Sequence, residues 1–167
     1  METKKKIRVK AGDVFQIPID EARYAYGQVA KKGDVLRVLT YNKTFPSNEV
    51  PEISNILQQE VLLLTDTMDA LIYHGEWKIC GNAPVRNDLP KPKFKFGSEP
   101  TFYIIEHDSE YQRIATVEET NQLDFQFSVA PIRIQNAMQA YFGVKEWKSD
   151  YDKLTYQYCL EKSQIQL

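Results

Sequence analysis

Cysteine and histidine are scarce in this chain, with two of each in 167 residues. Cys80 and Cys159 stand far apart, without a CxxC pair or a histidine at ligand spacing, so neither a disulfide framework nor a zinc site has its signature. Both are expected to be reduced core residues, Cys80 within an apolar strand that follows Trp77. His74 and His107 each fall at an expected turn, where a solvated imidazole is the plain reading and a catalytic or ligand role the rival one. Glycine is sparse too, at seven residues, and Gly27 with Gly33 makes neither GxGxxG nor GxxxxGK. No GxSxG nucleophile elbow occurs. The expectation is a chain with no metal and no cofactor.

Long apolar runs are missing as well. None exceeds the four residues of Val61-Leu62-Leu63-Leu64, far below the roughly 18 that a membrane span needs. Lysines at positions 4 to 6 could be taken for the charged start of a signal peptide, but Ile7-Arg8-Val9-Lys10 follows where an apolar core would be required. A soluble, cytoplasmic chain is expected. Nor does one sign of charge dominate: 21 basic against 23 acidic residues leave a net charge of −2. Nucleic-acid binders usually carry a basic patch that neutralises phosphates. The dense basic stretches here are Lys4-Lys5-Lys6 with Arg8 and Lys10, and Lys91-Pro92-Lys93-Phe94-Lys95. The first is read as a solubilising N-terminal arm over residues 1–11, and nucleic acid is not an expected partner.

What the chain does contain is an ordinary globular mixture, 43% hydrophobic and 26% charged, with ten tyrosines. Its length suits a single domain over residues 1–167. Val14 to Ile19, Tyr24 to Ala30 and Val35 to Tyr41 are strand-like runs separated by polar turns, which predicts an antiparallel meander. Pro18 cannot donate to a ladder and puts the first run at an edge or a strand end. Ile53, Ile56 and Leu57 predict a short helix, and Glu60 to Asp66 is read as a buried strand. Ala70 to Tyr73 and Glu76 to Cys80 flank His74-Gly75 as a hairpin would. Residues 81–100, with four prolines, read as a long surface loop. Phe102 to Glu106 and Tyr111 to Ala115 predict one more hairpin, and Thr116-Val117-Glu118-Glu119 a capping box opening a short helix.

Further on, Pro131 near a start and Gly143 just past an end frame a helix. A last helix from about Asp150 would bury Tyr151, Leu154, Tyr158 and Cys159 on one face. The predicted fold class is α+β, an N-terminal antiparallel meander in a strongly twisted sheet or partial barrel with helices mainly in the C-terminal part.

Two carboxylates, Asp66 and Asp69, lie beside His74 and could form an acid–base cluster or an acidic binding patch. Turn chemistry explains them equally, since Asp bonds readily to nearby backbone. Asp66, Asp69 and Glu76 near Tyr73 and Trp77 would also suit an interface of aromatic anchors among acids, although ordinary burial accounts for Trp77.

Read in order, Gly12-Asp13-Val14-Phe15-Gln16-Ile17-Pro18, Tyr24-Ala25-Tyr26-Gly27-Gln28-Val29, Gly75-Glu76-Trp77-Lys78-Ile79-Cys80-Gly81-Asn82-Ala83-Pro84 and Ala115-Thr116-Val117-Glu118-Glu119 resemble the immunity protein 26 family of bacterial polymorphic toxin systems. The resemblance runs from about Gly12 to about Gly143, and residues 144–167 are read as a possible C-terminal helical addition. It implies a non-enzymatic cytoplasmic protein that binds and neutralises a cognate toxin domain, and it carries over no catalytic residue. A small SH3-like barrel that binds peptide or nucleic acid is the alternative suggested by the meander. Tyr24, Tyr26 and Gln28 share one strand face while Ala25, Gly27 and Val29 share the other. The tyrosines therefore either fill a core or face a partner. The candidate partner-binding residues are Tyr24, Tyr26, Asp66, Asp69, Tyr73, Glu76 and Trp77.

Overall fold

A computed structural model describes residues 7–106 and 112–164. His107 to Glu110, the expected hairpin turn, lie outside the described residues, as do Tyr111 and most of the basic arm.

Strands β1 (Asp13–Pro18), β2 (Arg23–Lys32) and β3 (Leu36–Tyr41) form the expected antiparallel meander, with Gln16 opposite Tyr26 and Gln28 opposite Leu39. β4 (Phe45–Pro46) pairs with the start of β2, the short helix α1 (Ile53–Leu57) follows, and β5 (Val61–Thr67) is antiparallel to β3. Next come α2 (Ala70–Tyr73) and β6 (Ile79–Asn82), which pairs with β1. β7 (Lys93–Ser98), β8 (Thr101–Glu106) and β9 (Gln112–Ile114) form a separate three-stranded sheet. The chain ends through α3 (Val117–Gln122), β10 (Ser128–Val129), α4 (Pro131–Tyr141), a 3-10 helix (Ser149–Leu154) and α5 (Tyr156–Lys162). The large sheet runs β10-β5-β3-β2-β1-β6 and does not close. The capping box at Thr116 and Glu119 and the helix framed by Pro131 and Gly143 are both present.

Three expectations are corrected. Ala70 to Tyr73 is a short helix, not the first strand of a hairpin: Gly75, at a φ of +77°, donates to Ile72 O at 3.0 Å and ends that helix, while the second run pairs with β1. A glycine with positive φ serves a helix C-terminus as well as a hairpin. Residues 81–100 contain the end of β6 and all of β7, where Phe94 and Phe96 alternate with Lys93 and Lys95. The last helix is broken at Thr155, whose hydroxyl accepts from Tyr158 N at 3.2 Å and caps α5. Tyr156, Cys159 and Leu160 then turn inwards and Tyr158 is only half-buried.

Both faces of the meander are covered, which is why every residue of β3 is buried. On one face Phe15, Ile17, Ala25, Val29, Val38 and Leu63 pack under Ile134, Ala137 and Met138 of α4, with Ile72, Trp77, Tyr151 and Leu154. On the opposite face Val14, Tyr26, Tyr41 and Phe45 meet Ile56 of α1. Farther along that face Leu39 and Leu64 meet Tyr156, Cys159 and Leu160 of α5. The small sheet and α3 are both tied to the end of α5: Lys93 N of β7 donates to Ser163 Oγ at 2.8 Å, and Gln122 Nε2 of α3 to Lys162 O at 3.3 Å.

Candidate partner interface

Burial divides the seven candidate residues. Tyr26 and Trp77 are each 1% exposed, and Asp66 is buried too. Tyr24 is half-buried against the α1 cluster. Asp69, Tyr73 and Glu76 are on the surface around α2. Of the aromatic-among-acids arrangement these three are at the surface, and Asp66 and Trp77 are interior.

Each buried member has a structural occupation. Tyr26 packs edge-on against Phe45 at 5.4 Å and its hydroxyl accepts from Gln16 Nε2 at 3.3 Å. Trp77 stacks on Phe15 at 5.0 Å and donates through Nε1 to Gln135 Oε1 at 2.9 Å. Asp66 accepts from Arg37 Nε at 3.2 Å and from Gln126 Nε2 at 2.9 Å. Burial pushes the Asp66 carboxyl above its ordinary value, against the pull of Arg37 and of the Gln126 hydrogen bond. Its hydrogen bonds thus run to Arg37 and Gln126, with Lys31 adding a further attraction, and among the described residues none joins it to Asp69 or His74. His74 instead sits edge-on to the Tyr73 ring at 5.1 Å.

Phe15 explains why position 27 is a glycine. A Cβ there would lie 2.5 Å from Phe15 Cζ and 2.9 Å from Leu39 O. The stack of Gly27, Phe15 and Trp77 joins three of the sequence words that carry the family resemblance. A second junction joins them on the opposite face of β2. Gln28, fully buried, donates through Nε2 to Ala83 O at 2.8 Å and to Gly12 O at 3.3 Å, and its Oε1 accepts from Tyr41 OH at 3.1 Å. Asn82 Nδ2 donates to Ala11 O and Asp13 Oδ1, each at 3.0 Å. Gly12, at a φ of +88°, brings its backbone against Ala83, where a Cβ would come within 2.6 Å of the carbonyl. A buried amide with every polar atom bonded holds strand register, since each of those groups would be costly if unpaired. Sequence reasoning missed Gln28; its one signal was a polar amide inside a strand otherwise lined by tyrosines.

Cys80 corrects another expectation, for it is exposed and not in the core. It belongs to β6 at the edge of the sheet, and its thiol lies 3.4 Å from Val14 O. Cys159 is buried as expected. Among the described residues no group of three His, Cys, Asp or Glu is placed to hold a metal ion, and no helix is long and apolar enough to cross a membrane.

Fold and interior together define an α+β scaffold in which an open sheet is clamped between helices and sealed by buried amide bonds. A family model described as immunity protein 26 matches residues 10–101, more than half of the chain. The chain belongs to the immunity protein 26 family. The match covers the meander, both junctions and the small sheet as far as the start of β8, and it ends before α3. No curated protein and no solved structure matches this chain.

Proposed function

We propose that this chain protects the cell that makes it by binding and neutralising a cognate toxin domain of a polymorphic toxin system, in the cytoplasm and without chemistry of its own. The observation that carries this reading is the family match over residues 10–101. Three features support it. The polar groups that could have formed a reacting cluster are engaged in structure, Asp66 with Arg37 and Gln126 above all. The interior is locked by side-chain hydrogen bonds, which suits a rigid inhibitor that loses little entropy on docking. Asp69, Tyr73 and Glu76 stand exposed around α2, next to Met68 at 51% exposure, and offer an aromatic and acidic contact of the kind that protein partners use. Trp77, in the same core as Ile72 of α2, would contribute from behind by holding that surface, while Tyr26 and Asp66 would contribute through the fold.

The experiment is co-expression with the toxin domain encoded beside this gene. Rescue of growth, together with recovery of the two chains as one complex, is the expected outcome. A toxin that still kills in the presence of well-folded protein would refute it.

A further inference from the structure

A groove of about 550 Å³ runs between the start of β5 and the C-terminal helices. Glu60 and Leu62 form one wall; Tyr141, Trp147, Asp152 and Glu161 form the other. The second wall lies wholly beyond the residues that match the family.

The aromatic wall is held in place from behind. Trp147 packs edge-on against Tyr151 at 5.4 Å, and Tyr151 is buried in the main core. Its indole Nε1 donates to Asp152 Oδ1 at 2.8 Å, and Tyr141 stands 6.5 Å away at 69°. The three carboxylates are held by neutral donors: Asn42 Nδ2 on Glu60 at 3.3 Å, Trp147 on Asp152, and Gln157 Nε2 on Glu161 at 3.0 Å. Among the described residues no lysine or arginine lines the groove. Its negative charge is therefore uncompensated within the groove, although the whole chain carries only −2. Another cleft of similar size, about 520 Å³, mixes Lys93 with Glu118 and Glu119 and offers no single sign.

We infer that this groove docks an arginine-bearing loop of the toxin domain. A guanidinium stacks on aromatic faces and bonds carboxylates in its plane, so one side chain satisfies both walls at once. An alkyl stem would lie along Leu62 and Tyr141. Because the second wall comes from residues that follow the family match, the groove is also where this chain would distinguish its own toxin from those of other members. The inference rests on the toxin-binding reading above.

Two measurements on the complex with a catalytically inactivated form of the neighbouring toxin domain test it. Trp77 is 1% exposed, so acrylamide quenching of the wild-type chain reports on Trp147. Bound toxin should protect that signal. Glu60→Lys, Asp152→Lys and Glu161→Lys should each weaken binding about tenfold or more and flatten its salt dependence, while Asp34→Lys, in the β2–β3 turn at the far end of the sheet, should stay within about twofold. Unchanged quenching with normal binding by all three reversals would overturn the groove and leave the toxin-binding reading standing. If the wild-type chain itself does not bind, both fall.

Discussion

Gly27 shows how little of a residue's role lies in its own propensity. Read along β2, alternation separates Tyr24, Tyr26 and Gln28 from Ala25, Gly27 and Val29, and that much was legible. Which face would be core was not, because alternation marks an inside only when the other side is wet. Here both sides are covered, and Tyr26 is interior on the face opposite α4. The small residue at position 27 is there because the Phe15 ring occupies the space above it. Gly27→Ala should therefore destabilise the chain by about 3 kcal/mol, the scale of overpacking, as measured by urea unfolding. At Gly33 the nearest atom to an added Cβ is 3.8 Å away, so Gly33→Ala should change stability by less than about 0.5 kcal/mol. The two thiols should also part company. Burial pushes the Cys159 thiol up to about 12; it raises the Cys80 thiol too, but that residue is exposed at the sheet edge. In the native chain a disulfide reagent should titrate Cys80 alone, and Cys159 only after denaturation. Two reactive thiols without denaturant would contradict the packing of α5.

Elements were legible where their ends carry chemistry of one meaning. The capping box at Thr116 and Glu119 is one such case, with Glu119 N donating to Thr116 Oγ1 at 3.2 Å and Thr116 N to Glu119 Oε1 at 3.1 Å. Arg113 adds two bonds to the same carboxylate, at 2.7 and 2.6 Å, and these with the cap hold the Glu119 carboxyl down at about 2 against an ordinary 4.5. Lowering of a carboxyl in the folded state means that its stabilisation is complete above pH 4.5 and is lost as pH falls towards 2. NMR titration of Glu119 should place its midpoint near 2, and Arg113→Gln should move it back towards 4.5. Asp66 has the opposite sign: its raised carboxyl favours folding most below 3.8, and that contribution shrinks as pH rises through the folded value. Where a signal has two meanings the sequence was ambiguous. Gly75 fits a hairpin and a helix end alike, and only the packing of Ile72 into the main core decides for α2. β7 was hidden by the prolines around it, although its Lys-Phe alternation is plain once its pairing with β8 is known.

At the scale of the whole molecule, the family match and the folded body do not have the same extent. The matched residues end at 101, yet Tyr151 and Leu154 belong to the main core and Tyr156, Cys159 and Leu160 cover Leu39 and Leu64 of the central strands. Residues 144–164 thus seal the sheet that the matched region builds. Their removal should expose those strands, bind a hydrophobic dye and abolish the single cooperative thermal transition, since a truncated core of this kind keeps secondary structure without fixed packing. A shortened chain that unfolds cooperatively near the full-length midpoint would show that the segment is dispensable. The same segment supplies one wall of the acidic aromatic groove, so sealing the fold and shaping the surface fall to the same helices.

The most direct test of the immunity reading is calorimetric titration of the purified full-length chain with the inactivated toxin domain encoded next to it. A saturable one-to-one heat with a dissociation constant on the order of nanomolar, as stable protein inhibitors show, is the predicted result. Absence of binding, with both proteins folded and the active toxin lethal, would contradict it.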